Sequence, residues 1–531
     1  MDVDRYPHLS DLQLADMECA VLQARNIELL IGGDYYYRFM KDEVIRGPPN
    51  SPVACLSILG WIISGPMPHQ QRNTSDVSCN FLTASKLDSM LQDFFSLESS
   101  GISSEDLKDE DESVMTKFRE TTAHDGSRYV VRLPWKDSAP PLASNFSQAE
   151  MRTQRVYKKL QENAEVKDMY VHALKEFETL DIVEEVTPDF SKPLAGKEYY
   201  LPHRPVVRQS SKTFKCRPVF DASARSPSGY SLNDCLHVGP PLLPLIPNIL
   251  LRFRMNAIGL TSDITKAFLQ LGLHPEDRDV TRYIVKDGES FKTMRFQRVC
   301  FGINAAPFLL NATIRHHLQM QPSSPLTRDM ARNFFVDNWI SGGPDVDSSL
   351  ANAEHARLLM NAAGMSLTQW TTNSPDLRQC LQTSGFQVEQ DEDVKVLGLR
   401  WNTRLDTLYV PAPTVDKELR ITKRNVCSIL ARIFDPLGFN APFVVRGKIF
   451  MQKIWKLQFD WDEPIDDQGI LQEFNDIRGE IEDLETSTVP RLCLLPSQIS
   501  AKFSLHTFCD ASSQASVACV YLVACVLSLL A

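Results

Sequence analysis

Asp263 in "AIGLTSDITKAFLQLGL" and Asp337 in "RNFFVDNWISGG" each close a run of strand-forming residues. A carboxylate at the end of a strand is aimed out of a sheet edge and not into a core. Magnesium takes oxygen ligands, usually one or two carboxylates completed by substrate phosphates, and two-metal sites hold their ions about 3.5–4 Å apart. Two strand-end carboxylates can build such a site if their strands are neighbours. Taken singly, each Asp reads as a turn former or a cap. Asp337-Asn338 suits a tight hairpin turn, because both residue types tolerate hairpin geometry. Beside Asp337 stands an amide, Asn338, where a second carboxylate is expected of a metal site.

The elements that must hold these residues are spread over 531 residues of 43% hydrophobic composition, enough for several domains with their own cores. A formal net charge of -11 argues against a chain that coats nucleic acid or anionic membrane by charge alone, so any basic surface is local. Two such segments exist. Between 201 and 260, Arg204, Arg208, Lys212, Lys215, Arg217, Arg225, Arg252 and Arg254 face only Asp221 and Asp234; between 419 and 456, eight cations face only Asp435. Interleaved aromatics such as Phe253 and Trp455 suit the walls of a groove that tracks a phosphate backbone, while solvated helix faces account for the charge equally well. The 12 cysteines include no C-x-x-C pair and no zinc-ligand spacing, which fits a reducing compartment. No signal peptide is legible, and the apolar run "SVACVYLVACVLSLLA" is shorter than the roughly 20 residues that span a bilayer. No membrane contact is expected.

In chain order, "YYLPHRPVVR", "FKCRPVFDASARSPSGYSLNDCLHVGPPLLP", "LLRFR", "SDITKAFLQLGL", "RFQRVCFGINAAPFLLNATI", "FFVDNWISGG", "LTQWTTNSPDL", "VLGLRWN" and "TKRNVCSILARIFDPLGFNAP" resemble the polyprotein of Pao/BEL-type retrotransposons, with a reverse transcriptase at its centre. No single motif is decisive; nine collinear ones are specific. The resemblance implies an α+β multidomain chain: a right-hand polymerase of fingers, palm and thumb, preceded by an all-β half of an aspartic-protease-like domain and followed by the start of a ribonuclease H-like domain. The implied boundaries are 1–72 for the protease-like half, 73–127 for an acidic linker, 128–255 for fingers, 256–410 for palm, 411–490 for thumb and connection, and 500–531 for the ribonuclease H-like start; by composition alone, 73–115 reads as a linker or a solvated helix.

Carried over motif by motif, the resemblance makes Asp263 and Asp337 the metal carboxylates for two magnesium ions, with manganese as a substitute. It makes Phe268 the residue under the sugar that selects deoxynucleotides, and Arg217, assisted by Lys215, the grip on the triphosphate. Gly302 permits close approach ahead of a helix opened by Ala306-Pro307. Arg378 falls near a loop where relatives carry a basic group able to protonate pyrophosphate. Relatives usually carry two adjacent aspartates at the hairpin, so Asn338, a neutral ligand at best, weakens the metal site. The expected partners are an RNA or DNA template with its primer and deoxynucleoside triphosphates. The expected place is cytoplasmic, in virus-like particles with access to the nucleus.

The ends imply less chemistry. The protease triplet Asp-Thr-Gly or Asp-Ser-Gly is absent, so proteolysis is not expected. Asp510 in "LHTFCDASSQASVACVYL" matches the first metal carboxylate of ribonuclease H without the others, so that activity is not expected either. Two functions remain open: an RNA-directed DNA polymerase, and a catalytically inactive transposon-derived relic that keeps a nucleic-acid-binding shell.

Overall fold

The computed structural model describes residues 9, 12, 40–48, 53–58, 60–64, 109–186 except 141, 198–210, 213–493 except 289, 417 and 458, 502–512 and 515–525. These fall into two compact units, 1–101 and 102–531. In the first, β1 (Met40–Arg46), β2 (Val53–Ser57) and β3 (Gly60–Ser64) form an antiparallel meander, as expected of a small β-rich region. Ser57 Oγ donates to the Gly60 carbonyl at 2.8 Å and closes its second turn.

The described part of the second unit begins in the acidic stretch. Of the two readings of that stretch, linker or solvated helix, residues 109–121 take the second and form α1 (Asp109–Thr121), but with Val114 and Phe118 buried and not solvated. The two lie four apart on one helical face, so a charged helix still presents an apolar stripe, and Phe118 meets Phe308 edge-on at 5.8 Å. The short strands β4 (Ala123–His124) and β5 (Tyr129–Val131) follow, then the helices α2 (Phe146–Leu160) and α3 (Ala164–Thr179), and β6 (Val183–Val186). A long hairpin comes next, β7 (His203–Ser210) with β8 (Thr213–Phe220). His203 and Phe220 at its foot are buried, and the imidazole lies between the Tyr170 hydroxyl and the Ile284 carbonyl.

Helix α4 (Ile246–Phe253) leads into β9 (Ile258–Ile264), the central strand of the sheet that carries both candidate carboxylates. After β10 (Gly272–Leu273) and the hairpin β11 (Arg282–Asp287) and β12 (Ser290–Phe296) come helices α5 (Ala306–Gln319) and α6 (Pro325–Asn333). The hairpin β13 (Phe334–Phe335) and β14 (Asn338–Gly343), helix α7 (Val346–Ala362), strand β15 (Leu367–Thr372) and helix α8 (Pro375–Thr383) complete the sheet region. Strand order is β13-β14-β9-β15, antiparallel throughout. Helix starts follow local chemistry: Ser324 and Thr327 form a reciprocal capping box, and Asp345 and Ser374 accept from the first turns of α7 and α8. Trp339 of β14 and Trp370 of β15 are fully buried, edge-on at 6.1 Å.

A further sheet, β16 (Asp393–Val396), β17 (Leu399–Asn402), β18 (Thr407–Tyr409) and β19 (Val489–Pro490), packs against α4. Its last strand leads to Arg491, which is fully buried. That guanidinium grips both oxygens of Asp406 at 2.7 and 2.8 Å and donates to the carbonyls of Phe253, Asn256 and Ala257. It thereby ties residue 491 to the entrance of β9. Between β18 and β19 runs a helical unit, α9 (Lys423–Leu430), α10 (Ala441–Lys456) and α11 (Gln468–Glu480), around Val426, Phe450, Ile454 and Phe474. The hairpin β20 (Lys502–Ala511) and β21 (Ser516–Cys525) comes last. Among the described residues no helix is long and apolar enough to cross a membrane.

Two stability tests follow. Arg491→Met leaves Asp406 and three carbonyls without their donor, and an expected loss of about 3 kcal/mol should appear in urea unfolding. Burial holds the His203 imidazole down to about 4. The folded state therefore resists a proton that the unfolded chain accepts below its ordinary value. Stability should be complete above that value and fall by about 2–3 kcal/mol as pH drops toward 4, and His203→Gln should flatten this slope.

Candidate active site

Antiparallel pairing of β14 with β9 sets Asn338 directly opposite Asp263, and the Ile264 amide donates to the Asp337 carbonyl at 2.8 Å. Residues far apart in sequence thus meet at one end of the sheet. The carboxylates are close enough that Asp263 is pushed up to about 7, first by burial and second by the charge of Asp337. On its other side Asp263 pairs with Thr368 of β15.

The hairpin turn differs from the expected one. Phe335 pairs with Asn338, so the two turn residues are Val336 and Asp337, and Asn338 opens β14 instead of forming the turn. Val336 takes φ +55°. A β-branched side chain resists that region, so this backbone is held by its surroundings and not by preference. Lys266, three residues after Asp263, has φ +50°, and Gln369, next to Thr368, has φ +53°. Three left-handed non-glycine residues therefore flank the Asp263 position. Between Thr368 and Thr371 the pairing of β15 with β9 shifts register, which accommodates the third.

Asn338 does not stand passively in the position of a second acid. Its Nδ2 donates to Asp337 Oδ1 at 2.8 Å and fixes the orientation of that carboxylate. Among the described residues no group of three or more His, Cys, Asp or Glu side chains converges on a metal position. The donor set is two carboxylates and an amide, which fits magnesium only where substrate phosphates complete the shell.

The remaining expected residues fall into place unevenly. Phe268 lies in a 3₁₀ turn, Ala267–Gln270, half-buried and edge-on to Phe301 at 5.4 Å. Gly302 has φ +96°, and a Cβ there would overlap the Phe220 carbonyl oxygen, so only glycine lets this segment cross the foot of β8. Arg217 is exposed on β8, opposite Val206. Lys215 lies opposite Arg208 on the same hairpin, and its side chain falls outside the described residues. Arg378 donates to the Thr372 carbonyl at 3.2 Å and to Thr403 Oγ1 at 3.4 Å. Asp510 is exposed near the end of β20, opposite Val517.

The basic segments divide as well. Arg252 and Arg254 are held by Asn333 Oδ1 and by the carbonyls of Arg332, Arg491 and Pro490. Arg424, Arg446 and Lys453 pair with Asp462, Glu480 and Glu473, and Lys423 is buried against the Trp455 ring at 4.0 Å. Much of the charge at 419–456 therefore serves the helical unit itself.

Sequence reading missed Asp329 of α6. It accepts from Trp339 Nε1 at 3.2 Å, Ser341 Oγ at 2.7 Å and Asn333 Nδ2 at 2.6 Å, and so moors β14 to the helix behind it. A single Asp in a polar helix carries no signal of this; only its burial among donors does.

Residues 422–526 match the Pao retrotransposon-like RNaseH-like domain. The chain thus carries retroelement polyprotein sequence. The matched span takes in α9 to α11 and the β20–β21 hairpin, crossing the boundary expected between a thumb and a ribonuclease H-like start. A foamy viral protease-reverse transcriptase solved in complex with double-stranded DNA is 12% identical, with 90% of this chain and 74% of that one covered and a TM-score of 0.47. No curated protein matches the chain.

The raised Asp263 sets a stability test. A carboxyl that binds its proton more tightly in the folded state stabilises fully below its ordinary value and loses that contribution as pH rises through about 7. Asp263→Asn should therefore raise metal-free stability at pH 8. After allowance for solvent screening at a half-exposed group, about 1 kcal/mol is expected, read as a higher thermal midpoint.

Proposed function

We propose that this chain is a retrotransposon reverse transcriptase, an RNA-directed DNA polymerase that extends a primer 3′ end with deoxynucleotides. The observation that carries the reading is the meeting of Asp263 and Asp337 across β9 and β14, at the end of a sheet backed by helices. In this reading that sheet is the palm, β7–β8 with its neighbours the fingers, and α9 to α11 the thumb. Asp263 and Asp337 hold two magnesium ions, or manganese, which supply charge stabilisation of the attacking and leaving oxygens. Asn338 keeps Asp337 oriented through its amide hydrogen bond. Phe268 forms the floor beneath the nucleotide sugar and excludes a 2′ hydroxyl, Gly302 brings its segment against the fingers hairpin, and Arg217, with Lys215, takes the triphosphate. A primed RNA or DNA template and deoxynucleoside triphosphates are the partners, in cytoplasmic particles.

The alternative is a transposon-derived relic that retains a polymerase shell without its chemistry. The observation favouring it is Asn338 itself, which removes one negative charge from the metal site and binds its neighbour instead.

Primer extension on a homopolymer RNA template with magnesium separates the two. Activity in the parent, loss of at least 10²-fold in Asp337→Ala and a rise in Asn338→Asp are the expected results of a site weakened by one charge. Folded protein inactive in all three forms would establish the relic.

A further inference from the structure

None of the described residues of the β20–β21 hairpin joins the buried apolar clusters of the second unit. Its two faces are unlike. Strand residues alternate sides and cross-strand partners share one, so the pairs Phe503–Ala524, Leu505–Leu522, Thr507–Val520, Cys509–Ala518 and Ala511–Ser516 lie on one face. No charged residue falls there. The other face carries His506 opposite Tyr521, Phe508 opposite Cys519 and Asp510 opposite Val517.

On the uncharged face Leu505 is 71% exposed, Val520 61%, Phe503 44% and Leu522 43%. With the small residues between them they leave on the order of 600 Å² open to water, and two such faces together reach about 1,200 Å², the lower bound of a specific protein interface. A two-stranded hairpin alone is marginal in water, and a covered apolar face is what gives it independent stability. Charge decides which face can be covered by its own like. Packed on itself about a two-fold axis, the second face would bury the Asp510 carboxylate of each copy, whereas the first brings no charge and is complementary to itself.

We infer that the chain forms a two-fold dimer through this face, hairpin against hairpin, with Thr507 and Val520 at the centre of the contact. Two ribbons stacked in this way lie about 10 Å apart, with their strands within about 30° of alignment. A second copy is preferred to an unlike partner because nothing on the face selects one: it has no charge and no directional group beyond the hydroxyls of Thr507 and Ser516. Its area reaches that of an interface only when an equal face is added. Repulsion between two chains of net charge -11 opposes the contact and is screened by salt, so the dimer tightens as salt is raised. The inference stands apart from the polymerase reading and requires no activity.

The test is sedimentation velocity on the full chain over a range of concentration and salt. The expected result for the parent is a reversible monomer–dimer equilibrium with a midpoint on the order of micromolar, as suits an interface of this size. Leu505→Lys with Val520→Lys sets like charges on both sides of the contact and should weaken it at least about tenfold. Val517→Lys with Tyr521→Lys adds the same charges to the opposite face and should leave it unchanged. Thermal midpoints and far-ultraviolet circular dichroism verify that both variants fold. A parent that stays monomeric leaves the face to another occupant and overturns the inference. Equal loss in both variants overturns it as a general effect of lysine on the hairpin, and a dimer that survives the first variant forms elsewhere on the chain and overturns it too. Oligomers that grow without closing mark pairing along the open strand edges, and a dimer weakened by salt marks an ion-paired contact; either result overturns it.

Discussion

Two carboxylates must be held side by side at one half-buried end of an antiparallel strand pair, and that requirement organises the surrounding structure. Burial and mutual repulsion oppose the arrangement, as the upward shift of Asp263 records. Nothing local to Asp263 or Asp337 favours it. It persists because β9 and β14 pair over six residue positions, from Asp263 opposite Asn338 to Ile258 opposite Gly343. The strain beside it is of the same kind: Lys266, Val336 and Gln369 each occupy a left-handed conformation that costs an L-residue about 1–2 kcal/mol.

What offsets these costs is packing away from the site. Trp339 and Trp370 lie buried beneath the strands, and Asp329 gathers three donors from α6 and β14, so that the strand carrying Asn338 cannot slide. Arg491 does the same at the other end of β9. A buried guanidinium is a poor source of net stability, but it is directional. Five hydrogen bonds to one carboxylate and three carbonyls define where the strand begins. Removing such a group leaves several polar atoms without partners at once.

The distribution of cations has a similar logic. Around the β11–β12 hairpin and in the helical unit, arginines and lysines are matched to carboxylates and serve the fold. At the foot and along the face of the β7–β8 hairpin the matching stops. Charge counted along the sequence cannot separate the two cases, because Arg204, Arg252 and Arg254 all belong to one basic segment. Arg252 and Arg254 are bonded to carbonyls and an amide, and Arg204 is exposed in a cavity.

Some of the local structure around the candidate residues was legible without a structure. Strand-forming runs leading to Asp263 and Asp337 and the Ala306-Pro307 helix start depend on local preferences, and α5 begins at Ala306; the part given to Phe268 came from the resemblance alone. The buried face of α1 was missed, though a helix was one of two readings there, because acidic composition masked the pair Val114 and Phe118, which becomes a stripe only when a core is present to receive it. The hairpin turn was shifted by one residue because Asp-Asn is the better turn former locally, while pairing of Phe335 with Asn338 puts Val336 in the turn despite its branched side chain. Sequence alone therefore determined which groups are available for chemistry. Tertiary structure decided which of them meet, because strand register and the packing that enforces it are long-range and can override the conformational preference of any single residue.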